Sequence, residues 1–134
     1  MKYHSLFSDG GSRGNPGTAG AGFVLYDENN NEIFAGKHYL GTATNNHAEY
    51  MALLLGLQKA YEMGIKSLDC FLDSELIVRQ LSGQYRVKHT DLKSLFEHVI
   101  QQKNNFEHVS FCHIPRAKNK RADMLANEAM DEKK

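Results

Sequence analysis

Apolar and polar residues alternate at the start of the chain and later recur at helical spacing, and this change of period divides it into strands and helices. Tyr3, Leu6 and Phe7 mark a first strand that ends near Ser8. Glycines at 10, 11, 14, 17, 20 and 22, together with Pro16, then predict a turn-rich connection, because glycine leaves the backbone free to turn. A second strand is expected over 23–26, a tight turn at DENNNE, and a third strand over 33–40. The three together read as an antiparallel meander.

A helix is expected from Asn46, with Ala48, Met51, Ala52 and Leu55 on one face, Leu54 and Leu57 widening it, and Gly64 after its end. The apolar run Ser67–Leu72 predicts a fourth strand, and 74–81 a short helix with Leu76, Ile77 and Leu81 inward. Thr90 is placed as the cap of the next helix, in which Leu92, Leu95, Phe96, Val99 and Ile100 keep helical spacing. A fifth strand over 109–114 precedes a last helix carrying Ala122, Leu125, Ala126, Ala129 and Met130. The order is βββαβααβα. It predicts an α/β (α+β) fold, a mixed five-stranded sheet with helices packed on it.

A length of 134 residues with no repeat or linker fits one domain spanning 1–134. Lys plus Arg equals Asp plus Glu at 16 each, so net charge gives no argument for a polyanionic partner. The cations are uneven, with Arg116, Lys118, Lys120 and Arg121 in one segment and Arg86, Lys88 and His89 in another. Cys70 and Cys112 lie in apolar runs and read as buried free thiols. The start MKYHSLFSDGG lacks an apolar stretch long enough for a signal peptide, and a cytoplasmic setting is expected.

Four acids stand in separate contexts: Asp9 opens DGGSRGNPG, Glu49 lies in TNNHAEYMALL, Asp73 in CFLDSELIV and Asp123 in NKRADMLANEA. Each has an ordinary reading. Asp9 before two glycines makes an Asx-turn, Asp73 an N-cap, and Glu49 and Asp123 are acids in the first turn of a helix. Their neighbours point elsewhere, because each acid borders an apolar run that ends a strand or begins a helix, and in an alternating fold those ends meet. Carboxylates brought together repel unless a hard divalent cation neutralises them, so the quartet predicts a Mg²⁺ or Mn²⁺ site and phosphate chemistry.

SDGGSRGNPGTAGAGFVL, TNNHAEYMALLLGL, LDSELIVRQL and NKRADMLANEAM, in that order, resemble the signature segments of type 1 ribonuclease H. The resemblance extends from Phe7 to the last helix, and the predicted element order agrees with the ribonuclease H fold. It implies an endonuclease that cuts the RNA strand of an RNA–DNA hybrid with two divalent ions, leaving 3′-hydroxyl and 5′-phosphate ends. Asp9, Glu49, Asp73 and Asp123 then become the catalytic, metal-binding carboxylates. The implied substrate-binding set is Gly10, Asn15, Thr44, Asn45, Glu75, Lys88 and Arg116. For Thr44 and Asn46, capping the first helix is an equal reading. Recognition would rest on 2′-hydroxyls and phosphates rather than on base identity.

The chain departs from the family in two places. A basic, Trp-rich insertion found in some members is reduced here to SGQYRVKHTDL, and the chain has no Trp. The loop before the last acid, PRAKNKRA, lacks the histidine often present there; His113 lies earlier and reads as a structural residue of its strand. Arg116 or Lys118 remains to act electrostatically on the metal site or scissile phosphate, and neither is a base at neutral pH. The competing expectation is a module that binds hybrid or double-stranded RNA with weak or no cleavage. In either case a monomer is expected.

Overall fold

The computed structural model describes residues 3–133. Its elements follow the chain as β1 (His4–Gly14), β2 (Gly17–Tyr26), β3 (Glu32–Ala43), α1 (Asn45–Glu62), β4 (Ser67–Leu72), α2 (Glu75–Leu81), α3 (Thr90–Lys103), β5 (His108–His113) and α4 (Lys120–Glu132). A single 3-10 turn, Arg116–Lys118, leads into α4. The strands form one sheet in the order β3-β2-β1-β4-β5. The first three run antiparallel as a meander, while β4 lies parallel to both β1 and β5.

The glycine-rich stretch is strand rather than loop. β1 runs on to Gly14 and β2 starts at Gly17, so all but the hairpin tip of that stretch is paired sheet. These glycines serve approach more than turning. A Cβ on Gly10 would lie 2.1 Å from the Ala48 carbonyl oxygen of α1, and one on Gly22 would lie 2.4 Å from the Ala122 carbonyl oxygen of α4. Side chains alternate across a strand, so residues on opposite faces of the sheet open it to a helix on each side.

α4 lies over β2, β3 and β1, and Ala122, Leu125, Ala126, Ala129 and Met130 are buried beneath it, the predicted face without change. Ion pairs from Lys37 to Glu132 at 2.8 Å and from Arg121 to Glu32 at 3.1 Å hold its two ends against the meander. On the other face, α1 packs against β1, β2 and α3. Tyr50, Leu53 and Leu57 are fully buried, while Met51 and Leu55 of the expected stripe are only partly covered. Because α1 is flanked by the sheet and by α3, it buries most of its circumference, and a single-stripe reading understates it. Tyr50 donates a buried hydrogen bond of 2.6 Å to Gln80 of α2, which satisfies two polar groups inside this core.

Smaller expectations change too. Thr90 is the first residue of α3, whose cap position is His89, with no side-chain cap bond. In α2, Ile77, Gln80 and Leu81 turn inward at i, i+3 and i+4, which leaves Leu76 outward and 41% exposed. Cys70 is buried and Cys112 half-buried, and both are free thiols.

Gly22→Ala is expected to destabilise the protein by about 2–3 kcal/mol, as overpacked sites do, because the new methyl meets helix backbone that cannot rotate away. Gly11→Ala is the matched control: its Cβ would find nothing nearer than an Asn45 side-chain atom at 3.9 Å, and a neutral or slightly positive change is expected. Urea midpoints of the two variants measure the contrast, and equal midpoints would refute the close-approach reading.

Candidate active site

The pairing of β1 with β4 ends at Ser8 and Leu72, and the next residue on each strand is an acid: Asp9 and Asp73. Asp9 is therefore not at the end of its strand. It remains paired with Gly22 of β2 and lies where β1 runs on past the end of β4. Asp73 is not a cap either, because Ser74 takes that position and its hydroxyl accepts from the Ile77 amide at 3.3 Å. The carboxylate is thereby free to face the cleft. Glu49 lies beyond the first turn of α1, outside the reach of the helix-terminus argument, and is brought in by the close seat of Ala48 over Gly10. Asp123 does stand in the first turn of α4, as expected.

One oxygen each from Asp9, Glu49 and Asp73 lie within 4.8 Å of one another. Asp123 stands outside that set, at the rim of the same cleft, with Arg116 3.6 Å from its carboxylate. The cleft holds about 400 Å³. Asp9 and Glu49 are only 6% and 8% exposed. Burial, reinforced by the charges of Asp73 and Asp123, pushes the Asp9 carboxyl up to about 7, against a hydrogen bond from Glu49 that lowers it. Burial also raises Glu49 well above the carboxylate range, with the Asp9 charge next in importance. Both carboxyls of the pair are therefore held above the usual carboxylate range, mainly by burial.

Among the described residues, the buried side-chain polar atoms without a hydrogen-bond partner are Ser8 Oγ, Glu49 Oε2 and Asn119 Oδ1. Of these, Glu49 lines the cleft, while Ser8 precedes Asp9 in β1 and Asn119 donates to Asp73. Buried polar groups are nearly always satisfied, so an orphaned Glu49 oxygen inside a ring of acids marks a place where a ligand would complete the bonding. An all-oxygen donor set suits a hard cation such as Mg²⁺ or Mn²⁺.

A second, larger groove of about 560 Å³ is lined by Asn15, Thr44, Asn45, His47 and His89 among others, and Asn45 lines both cavities. The Thr44 hydroxyl accepts from the His47 amide at 3.2 Å, so the capping reading of Thr44 holds. Asn15 Oδ1 accepts from the Asn45 amide at 3.0 Å, tying the hairpin tip to the start of α1. The Ser12 backbone N–H donates to Asn45 Oδ1 at 2.8 Å, which sets the orientation of the Asn45 amide. Ser12 was invisible to sequence reasoning, since nothing in a glycine-rich segment foretells an amide aimed across it.

The remaining expected substrate contacts are scattered. The Gly10 backbone borders the carboxylate cleft while its other side packs on α1. Arg116 is on the cleft rim with its side chain 81% exposed. Glu75 is exposed at the start of α2 and paired with Arg79 at 2.9 Å. Lys88 is exposed in the segment before α3 and lines neither cavity, although the adjacent His89 does. His113 is the last residue of β5, on the strand as expected, and its side chain is exposed.

The family model described as reverse transcriptase-like matches residues 7–129. A bifunctional protein of Mycobacterium tuberculosis is 43% identical over 125 residues, covering 92% of this chain and 34% of that protein. The chain thus spans about a third of the length of that relative. A ribonuclease HI of Halobacterium salinarum is 40% identical over 131 residues, 98% of this chain and 65% of the relative. A ribonuclease H of Pseudomonas putida is 31% identical and is covered over 93% of its length. Among solved structures, the H. salinarum ribonuclease H1 superposes with a TM-score of 0.94 at 39% identity, covering 96% of this chain and 98% of that one. An LC11 ribonuclease H1 in complex with an RNA/DNA hybrid gives 0.92 at 42% identity, with 96% and 97% coverage. With a family model matched over nearly all of the chain, and relatives of that name and fold spanning it end to end, the protein belongs to the type 1 ribonuclease H family.

Proposed function

We propose that this chain is a metal-dependent endoribonuclease that hydrolyses the RNA strand of RNA–DNA hybrids, leaving 3′-hydroxyl and 5′-phosphate ends. The observation that carries the reading is the convergence of Asp9, Glu49 and Asp73 oxygens within 4.8 Å, with Asp123 on the rim. It is supported by ribonuclease H relatives and by the hybrid held in the 42% identical LC11 structure. Two Mg²⁺ ions, or Mn²⁺ in their place, would be held by Asp9, Glu49, Asp73 and Asp123, and when bound they supply the charge that activates a water and stabilises a departing 3′ oxygen.

This chain's own residues do the positioning. Asp9, held by strand pairing with Gly22 and set beside the helix contacts at Gly10 and Gly22, would be the central ligand. Asn45 sits between the carboxylate cleft and the polar groove, so a backbone running through both would pass its side-chain amide. Asn15 and Thr44 line the groove side, and polar contacts of this kind suit 2′-hydroxyls and phosphates read by shape. Arg116 adds a cation at the rim where a phosphate enters. No nucleophilic side chain is required. Double-stranded RNA, which shares the 2′-hydroxyls, is a side substrate within the same proposal, and the working species is a monomer. A module that only binds hybrid gains nothing from a cluster of acids facing phosphates, which argues for cleavage over binding alone.

With an end-labelled hybrid, cleavage of the RNA strand alone is expected in Mg²⁺ and none in EDTA. Asp73→Asn should reduce the rate by at least about a hundredfold, the equivalent of ~3 kcal/mol of barrier. A hybrid left intact in both Mg²⁺ and Mn²⁺, yet still bound, would transfer the reading to the binding module.

The metal-free protein should lose stability as pH rises. Asp9 keeps its proton in the folded state up to about 7, whereas in the unfolded chain it loses it near 3.8, so between those values the folded state binds more protons and its advantage shrinks. Thermal midpoints in EDTA should fall from pH 5 to pH 8. Mg²⁺ should restore the midpoint at pH 8 and add little at pH 5, where Asp9 and Glu49 keep their protons. Asp9→Asn should flatten the profile. A pH-independent midpoint in the wild type, or an unchanged slope in the variant, would show that the acids are not so perturbed.

A further inference from the structure

Asn119 occupies the cap position of α4, where an asparagine side chain ordinarily accepts from a helix amide, and here it makes no such bond. Its side chain turns away from the helix. Nδ2 donates to the Ser8 carbonyl at 2.8 Å and to Asp73 Oδ2 at 3.1 Å, which uses both of its protons. The residue is 1% exposed, and its Oδ1 is left buried without a partner. Both partners are acceptors, so the amide can only stand with NH₂ toward them, and the orphaned oxygen is the consequence. A helix cap is given up, and an unsatisfied buried carbonyl is tolerated, while one donor is kept on Asp73.

The same residue ties together the parts that carry the acids. Its side chain holds the carbonyl of Ser8, next to Asp9, and the carboxylate of Asp73, while its backbone carbonyl accepts from the Asp123 amide at 3.1 Å. Three of the four acids are thus registered through one buried asparagine from three different elements. We infer that Asn119 is a positioning residue for the cation site: it locks the Asp73 carboxylate in its rotation and sets it against Asp9. The inference rests on the reading that these carboxylates hold a divalent cation. Hydrogen-bond partners of metal ligands commonly carry a tenfold to hundredfold share of metal affinity, and the same scale is expected here.

The test is Mn²⁺ binding by titration calorimetry, without nucleic acid, on wild type, Asn119→Ala, Asp73→Asn and the double variant. Asn119→Ala should weaken Mn²⁺ affinity by about tenfold or more in the wild-type background and by less than about twofold once Asp73 is already changed, because the asparagine acts through that carboxylate. Affinity equal to wild type, or losses that multiply in the double variant, would reduce Asn119 to a support for α4 and overturn the inference. Absence of Mn²⁺ binding in the wild type itself would instead remove the cation-site reading and this inference with it. A second measurement needs no Asn119 variant: the Asn119 side-chain NH₂ resonances of the wild type should move both on adding Mg²⁺ and in Asp73→Asn. Resonances unmoved in Asp73→Asn would overturn the inference even if every Asn119 variant failed to fold.

Discussion

The candidate site exists because two helices can touch the sheet where it has no side chains. α1 sits on Gly10 and α4 on Gly22, each with helix carbonyls where a Cβ would have to be. Gly22 is the strand partner of Asp9, and Gly10 is its neighbour in sequence. The closest approaches therefore occur beside the one acid carried mid-strand. An alanine at either position would lift a helix, and the carboxylate on that helix would move away from Asp9 with it. Packing density and site geometry are the same constraint here.

That geometry gathers charge that folding alone would disperse. Asp9 and Glu49 are nearly removed from water, and burial is the largest influence on both. Burial holds both carboxyls above the usual carboxylate range, which lessens the charge gathered in the cleft. The orphaned polar atoms belong to these carboxylates or adjoin them. A folded domain keeps few of them, and Glu49 Oε2 stands among the carboxylates that the proposed function assigns to a cation.

The parts of this molecule that were legible in its sequence are those governed by period. The last helix reads correctly because one side of α4 meets the sheet and the other meets solvent, and Ser67–Leu72 reads correctly because a short apolar run between turns has few alternatives. α1 is misjudged because it is covered on more than one side, which stripe counting cannot register. The glycines mislead more deeply. Gly10 and Gly22 read as freedom to turn, yet they serve the opposite purpose, a rigid strand with room above it, and only the position of the helices reveals which applies. The four acids were legible through their neighbours and their family motifs. Ser12 and Asn119 were not: a serine among glycines and an asparagine at a helix start have ordinary roles, and their departure from those roles depends on groups 33 and 46 residues distant in sequence.

The even charge balance of the chain also takes on meaning from the structure. The basic segment before and within α4 could be read as a surface for a polyanion, yet Arg121 is committed to Glu32, and Arg13 and Lys37 pair with acids on α4 itself. Each such pair is exposed and individually worth little, but together they orient a helix whose first turn must deliver Asp123 to the cleft. Arg13 and Arg116 both line the carboxylate cleft; Arg13 is paired with Asp131, and Arg116 lies 3.6 Å from Asp123 with its side chain largely exposed. Under the proposed function, attraction for a phosphate backbone at this cleft would come largely from cations held by the acids, with Asn15, Thr44 and Asn45 supplying hydrogen bonds alongside. On that proposal a metal would be as much a part of the binding surface as of the chemistry, and a chain of zero net charge would need no separate basic patch to take up a polyanion.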